Sequence, residues 1–158
     1  MPNPNQHLAH AKHNLDFLHS FYSSFQFNDW SVTVAFYSSV HMVEAAIAKR
    51  GTISFRDKQI NIHGSEDLFK KIPPDWLPKN NPDAEKKKST HAARSLIVDY
   101  NFPAISAEYG LLYNNCMMAR YRQYQWEKLQ VEIIVKPCLK AIVSWANKEL
   151  ADNIKLSL

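Results

Sequence analysis

Three polar side chains interrupt an otherwise apolar stretch of the sequence. Tyr37, His41 and Glu44 are spaced by four and then three residues, so they share one face if the stretch is a helix. In a later apolar segment, Arg120 and Tyr121 could meet this polar line. Arg120 could then pair with Glu44 through a two-pronged hydrogen bond, which would leave His41 available to a phosphate or a base. This arrangement predicts a binding site.

The same residues have a simpler interpretation, which is a buried polar network that fixes how the helices align. A network of this kind requires no ligand. We favour it as the interpretation with fewer assumptions, and the binding site stays open as the alternative.

Metal and redox chemistry are not indicated by the histidines and cysteines. His7, His10 and His13 follow one another in steps of three, which drift around a helix, so we expect a solvated face. Cys116 and Cys138 lie among apolar residues, where a free thiol behaves as a small hydrophobe. No H-E-x-x-H or similar ligand pair occurs. We therefore predict neither a metal nor a cofactor.

In the segments that hold these residues, apolar side chains recur with the spacing of an α-helix, and we recognise no strand-like alternation. The second helix should be central, because apolar residues cover nearly its whole circumference. Asn28 or Asp29 should cap it and Gly51 should end it. Pro137 should bend or interrupt the last helix. The predicted long helices span residues 5–24, 28–50, 104–123 and 126–150, with shorter helical segments at 65–71 and 92–100.

The predicted fold class is therefore all-α, an antiparallel bundle of four to five helices. We expect 1–158 to form a single domain, with a proline-rich irregular excursion at about 52–90 in which another helix could start after Pro82. No apolar run approaches a membrane span and no secretory signal is recognised, so we expect a soluble, cytoplasmic protein without a membrane partner. The net charge of +4 favours an anionic partner only mildly, and Lys86, Lys87 and Lys88 are expected to be solvated.

Two separated motifs resemble those of the HEPN-like proteins, a family of helical, nucleotide-binding domains. The first motif, W-x-x-T-x-x-F-Y-x-x-x-H-x-x-E-A, runs from Trp30 to Ala45, and the second is Ala119-Arg120-Tyr121. With Lys49-Arg50-Gly51, His63 and the Tyr109–Tyr113 segment, the resemblance spans most of residues 5–150.

The resemblance implies a class of function. Many family members are metal-independent endoribonucleases of toxin or defence systems, with an arginine and a histidine near the interface of a homodimer. In them the arginine would stabilise phosphate charge, and the histidine would assist proton transfer as the ribose 2′-OH attacks phosphorus. The candidate catalytic motif here is Arg56-Asp57 followed by His63, which lies in a predicted loop and departs from the family pattern.

Two functional hypotheses follow. In the first, the protein is a HEPN-like homodimer that binds or acts on RNA or a nucleotide, and Arg120 and His63 lie on a shared concave surface. In the second, it is a noncatalytic interaction module that binds a partner protein, such as a nucleotidyltransferase antitoxin.

Overall fold

Helices form most of the computed structural model, which describes residues 3–71, 89–121 and 126–158. This content confirms the all-α prediction at the level of fold class. A 3-10 turn, Pro103–Ile105, precedes α5, and a π-helical turn, Val131–Val135, joins α6 to α7 without a break. The α-helices are α1 (Pro4–Tyr22), α2 (Asn28–Arg50), α3 (Ser65–Lys71), α4 (Thr90–Asn101), α5 (Ser106–Tyr121), α6 (Lys128–Gln130) and α7 (Lys136–Leu150).

Helix α2 lies at the centre and packs against α1, α5 and α7. Apolar residues around nearly its whole circumference are buried, as predicted, and the face that carries Trp30, Tyr37 and His41 is the part left open. Its length and composition would suffice to cross a membrane, but 78% of that window is buried inside the protein, which fits the core helix of a soluble domain. Gly51 ends α2 in the left-handed conformation, with φ of 66°, as the sequence predicted.

The N-termini of α1 and α2 are stabilised differently. At the start of α1, the Asn3 side chain accepts a hydrogen bond from the Gln6 backbone, and the Gln6 side chain accepts one from the Asn3 backbone. The predicted cap of α2 is wrong, because Phe27 occupies the cap position and makes no side-chain bond there. The Asn28 side chain instead donates to the Trp126 carbonyl, which attaches the start of α2 to the last helical segment.

A small antiparallel hairpin follows α2 and corrects the expectation that strands are absent. Strands β1 (Thr52–Phe55) and β2 (Lys58–Asn61) pair in the register that sets Phe55 against Lys58. Ile53 and Phe55 point into the core. The side chain of Asn101, the last residue of α4, bonds both the N–H and the C=O of Ser54, so the hairpin is fixed to α4.

Other expectations have mixed outcomes. Helix α3 spans the predicted range, and Cys116 and Cys138 are buried free thiols, as expected. The helix expected to bend or break at Pro137 is continuous from Lys128 to Leu150, and its hydrogen bonding changes in the π-helical turn that ends two residues before the proline. The helix expected after Pro82 and the 86–88 lysine run lie outside the described residues.

Candidate functional site

A buried ion pair lies beneath the candidate site and connects three helices. Glu44 on α2 and Arg94 on α4 are each 6% exposed, and Arg94 Nε donates to Glu44 Oε1 at 2.7 Å. Ser65, the first residue of α3, donates its backbone N–H to Glu44 Oε2 at 3.1 Å and its hydroxyl to Oε1. Arg94 Nη2 also donates to the Ser65 hydroxyl, at 3.1 Å. The favoured interpretation of a buried polar network therefore holds for Glu44.

Sequence reasoning chose the wrong partner for Glu44. The predicted pairing with Arg120 does not form, because Arg94 occupies that position and Arg120 donates to the Tyr37 hydroxyl at 2.6 Å. Arg94 also donates to His91 Nδ1 at 3.1 Å, so its guanidinium is bonded on all three nitrogens. Burial lowers the pKa of His91, and the cations of Arg94 and Arg120 lower it further.

A pair of histidines lies next to this network, where α1 and α2 run side by side. His7 Nδ1 and His41 Nδ1 are 3.2 Å apart, so one ring donates and the other accepts. The ring of His10 stacks on that of His41, with 5.0 Å between centroids. His10 and His13 are exposed, as expected, whereas His7 is half-buried against His41 and departs from the expected solvated face.

The histidine pair is held largely neutral by its surroundings. Burial lowers the pKa of His41 to about 4, and His7, His10 and Arg94 contribute to the decrease, while Glu44 opposes it. The pKa of His7 is lowered as well, chiefly by burial. An anionic ligand beside these rings would raise both pKa values, so ligand binding and proton uptake would be coupled.

Two pockets meet at His41. One, of about 180 Å³, is lined by His7, His41 and His63 with the Glu44, Ser65 and Arg94 side chains. The other, of about 450 Å³, contains Tyr37, His41 and Arg120. We call the surface formed by His7, His41, His63, Tyr37 and Arg120 the His–Arg groove.

The outer end of the groove is aromatic and cationic. The Arg120 guanidinium lies 5.8 Å from the centroid of Tyr37 and 5.3 Å from that of Tyr121, and Tyr121 is exposed. Such contacts orient a guanidinium without neutralising it. Among the described residues no carboxylate forms an ion pair with Arg120. Arg120 is therefore a free cation within the part of the chain that the structure describes.

The two residues of the candidate nuclease motif, Arg56 and His63, lie at opposite ends of strand β2. Arg56 lies in the turn between β1 and β2 with φ of 50°, and His63 follows β2. His63 lines the inner pocket of the groove, whereas Arg56 lines neither pocket and lies 5.8 Å from the Phe55 ring. A catalytic role for Arg56 and His63 stays a prediction.

The residues that sequence reasoning missed are His7, His10, Ser65, His91 and Arg94. A usable signal existed for the first two. Helices α1 and α2 are joined by a short linker around Phe25, and His41 follows Phe25 by 16 residues while His10 precedes it by 15. Residues equally distant from the turn of an antiparallel helical pair lie opposite one another, so His41 should meet the start of α1.

No group of three or more metal-binding side chains occurs among the described residues.

Comparison with known proteins gives no identity: no protein-family model, curated protein or solved structure matches the chain.

Proposed function

We propose that this chain is a cytoplasmic, HEPN-like protein that binds RNA or a nucleotide phosphate in the His–Arg groove. The observation that carries the proposal is the position of His41, which joins the two pockets, touches His7 and shares the outer pocket with Arg120. A phosphate needs a fixed cation and hydrogen-bond donors, and Arg120 with a protonated histidine would supply both. The absence of an ion pair on Arg120 within the described residues supports a ligand anion there.

The groove also suits cleavage of an RNA backbone. His7 and His41 are two neighbouring imidazoles that can exchange a proton at 3.2 Å, so one could accept the proton of the ribose 2′-OH. The other, once protonated, could donate to the leaving 5′-oxygen. Arg120 would stabilise the charge on phosphorus. The products would be a cyclic phosphate and a free 5′-hydroxyl.

A cleavage assay tests this function. The purified protein is incubated in EDTA with end-labelled structured and single-stranded RNAs, beside the variants His41→Gln and Arg120→Ala. We expect cyclic-phosphate ends from the wild type and a decrease of at least about 100-fold in either variant, as is typical when an acid–base or charge-stabilising group is lost. His13→Gln is the matched control, because His13 is an exposed α1 histidine that lines neither pocket.

The candidate motif of Arg56 and His63 is tested in the same assay with the variants Arg56→Ala and His63→Ala. If Arg56→Ala abolishes cleavage and His41→Gln does not, the reaction belongs to the hairpin motif. A wild type that neither cleaves nor binds any RNA contradicts the proposal.

The second candidate is a noncatalytic module that binds a protein, such as a nucleotidyltransferase antitoxin, or a second copy of the chain. Exposed apolar side chains away from the groove favour it. Leu111 and Met118 are seven residues apart on one face of α5, and Leu129 of α6 and Ile133 of the following π-helical turn are exposed as well. Charged substitutions at Leu111 and Leu129 should abolish partner binding or dimerisation, measured by light scattering, and leave RNA binding unchanged.

A further inference from the structure

Four aromatic residues form an open pocket at the junction of α1 and α2. Phe17 and Phe21 come from α1, Phe27 from the linker and Trp30 from the first turn of α2. The pocket has a volume of about 290 Å³, and Phe17, Phe27 and Trp30 are 51%, 51% and 54% exposed. Clustered exposed rings of this size mark an interaction site more often than a free surface. We call it the aromatic pocket.

The aromatic pocket is continuous with the His–Arg groove. Phe17 and Trp30 line it and also line the outer pocket that contains Tyr37, His41 and Arg120. A ligand that entered between the rings would therefore reach the free guanidinium and the histidine pair without leaving the surface.

The chemistry of the combined surface identifies its occupant. None of the described residues that line the aromatic pocket or the outer pocket is acidic. An apolar protein segment would cover the Arg120 guanidinium without supplying a counter-charge, which is costly. A nucleotide supplies a flat ring for the aromatic side chains and an anion for the cations, so it complements both halves.

We infer that the aromatic pocket stacks an unpaired base of single-stranded RNA whose adjacent phosphate lies in the His–Arg groove. This inference rests on the proposed function and deepens it, because it excludes duplex RNA as the preferred ligand. A base within a duplex is already stacked on its neighbours and cannot enter the aromatic pocket.

The pocket should accept all four bases. Ser20 is the one lining residue with a hydroxyl group among those described, and this hydroxyl donates to the Phe17 carbonyl at 2.7 Å. The hydroxyl proton is thus used within α1 and does not read the edge of a base. Stacking without edge contacts gives affinity with little sequence preference.

Binding measurements with three oligonucleotides test the inference. Fluorescein-labelled single-stranded RNA, the same strand with abasic sites, and the corresponding duplex are titrated with the full chain and followed by anisotropy. We expect the single strand to bind about 10-fold more tightly than the abasic strand, which carries the same phosphates. Trp30→Ala should abolish this ratio, because it should weaken binding of the normal strand much more than binding of the abasic strand.

Two further variants define the contact. Trp30→Phe keeps an aromatic ring and should retain most of the ratio. Tyr100→Ala is the control, because Tyr100 is an exposed aromatic residue on α4 that lines neither pocket. Circular dichroism verifies that each variant is folded.

The outcomes separate this inference from the proposed function. Equal affinity of the wild type for normal and abasic strands overturns the base pocket and leaves phosphate binding in the groove intact. Failure to bind any oligonucleotide overturns both. If Trp30→Ala dissociates a dimer in light scattering and leaves the ratio unchanged, the aromatic pocket holds a second copy of the chain and the inference is wrong.

Discussion

Two polar regions lie three residues apart on α2 and differ in what surrounds them. Glu44 is buried, and Arg94 and Ser65 supply its ionic and hydrogen-bond partners. His41 lies at the junction of two pockets and has a second histidine as its hydrogen-bond partner. Residue type alone does not separate these roles, since both side chains could bind a ligand or stabilise a fold. The difference is that partners within the protein satisfy Glu44, whereas Arg120, in the same pocket as His41, has no carboxylate partner among the described residues.

The largest expected effect comes from breaking the buried pair. Arg94→Met leaves the Glu44 carboxylate buried without its cation, which should decrease the free energy of unfolding by about 3–5 kcal/mol. Urea denaturation followed by circular dichroism measures the loss. Arg120→Met makes the same chemical change at an exposed arginine and should cost less than about 1 kcal/mol.

If Arg94→Met and Arg120→Met decreased the free energy of unfolding equally, the regions around Glu44 and His41 would not differ in their contribution to stability. The double variant Glu44→Leu and Arg94→Met extends this comparison. Removing both charges should recover part of the stability lost in Arg94→Met, because no unpaired ion remains in the core.

The pH dependence of the free energy of unfolding tests the region around His41. The pKa of His41 is about 4 in the folded protein and near 6.5 when unfolded, so the unfolded chain binds more protons between these values. Stability should therefore decrease as the pH falls from about 6.5 to about 4, by at most about 1.4 kcal/mol per pH unit for this group, less the part screened by water.

His41→Gln should flatten that decrease. Some acid sensitivity should remain, because the pKa values of His7 and His91 are lowered too. Phosphate or oligonucleotide should shift the wild-type curve toward greater stability at low pH, since the anion favours the protonated rings. Unchanged pH dependence in His41→Gln would show that this histidine is not held neutral by the fold.

Much of the helical framework could be predicted because its signals are local. The apolar circumference of α2 and the left-handed Gly51 at its end each depend on a few neighbouring residues. The hairpin was missed although its signal was also local. Ile53 with Phe55, and Ile60 with Ile62, alternate on either side of a polar turn, but the prolines further along the segment drew the prediction toward an irregular excursion.

The candidate site was harder to predict from the sequence, because it depends on which helices face one another. Arg94 and Arg120 both lie on later helices, and the sequence gives no distance that would assign Glu44 to the first rather than the second. Tyr37, His41 and Arg120, which the sequence analysis grouped together, do line one pocket, and polar residues at helical spacing on a core helix were the signal for the first two.

The smallest expected effect on stability tests how Arg120 is oriented in the region around His41. Tyr37→Phe removes the hydroxyl that accepts from Arg120 Nη1 at 2.6 Å and keeps the ring beneath the guanidinium. Because this bond is exposed, the free energy of unfolding should change by less than about 1 kcal/mol. Affinity for the abasic strand should decrease several-fold, since the guanidinium loses its fixed position and must be ordered by the ligand. A loss of stability as large as that of Arg94→Met, with affinity unchanged, would assign Tyr37 and Arg120 to the same structural role as Glu44 and would leave the groove without its phosphate-binding cation.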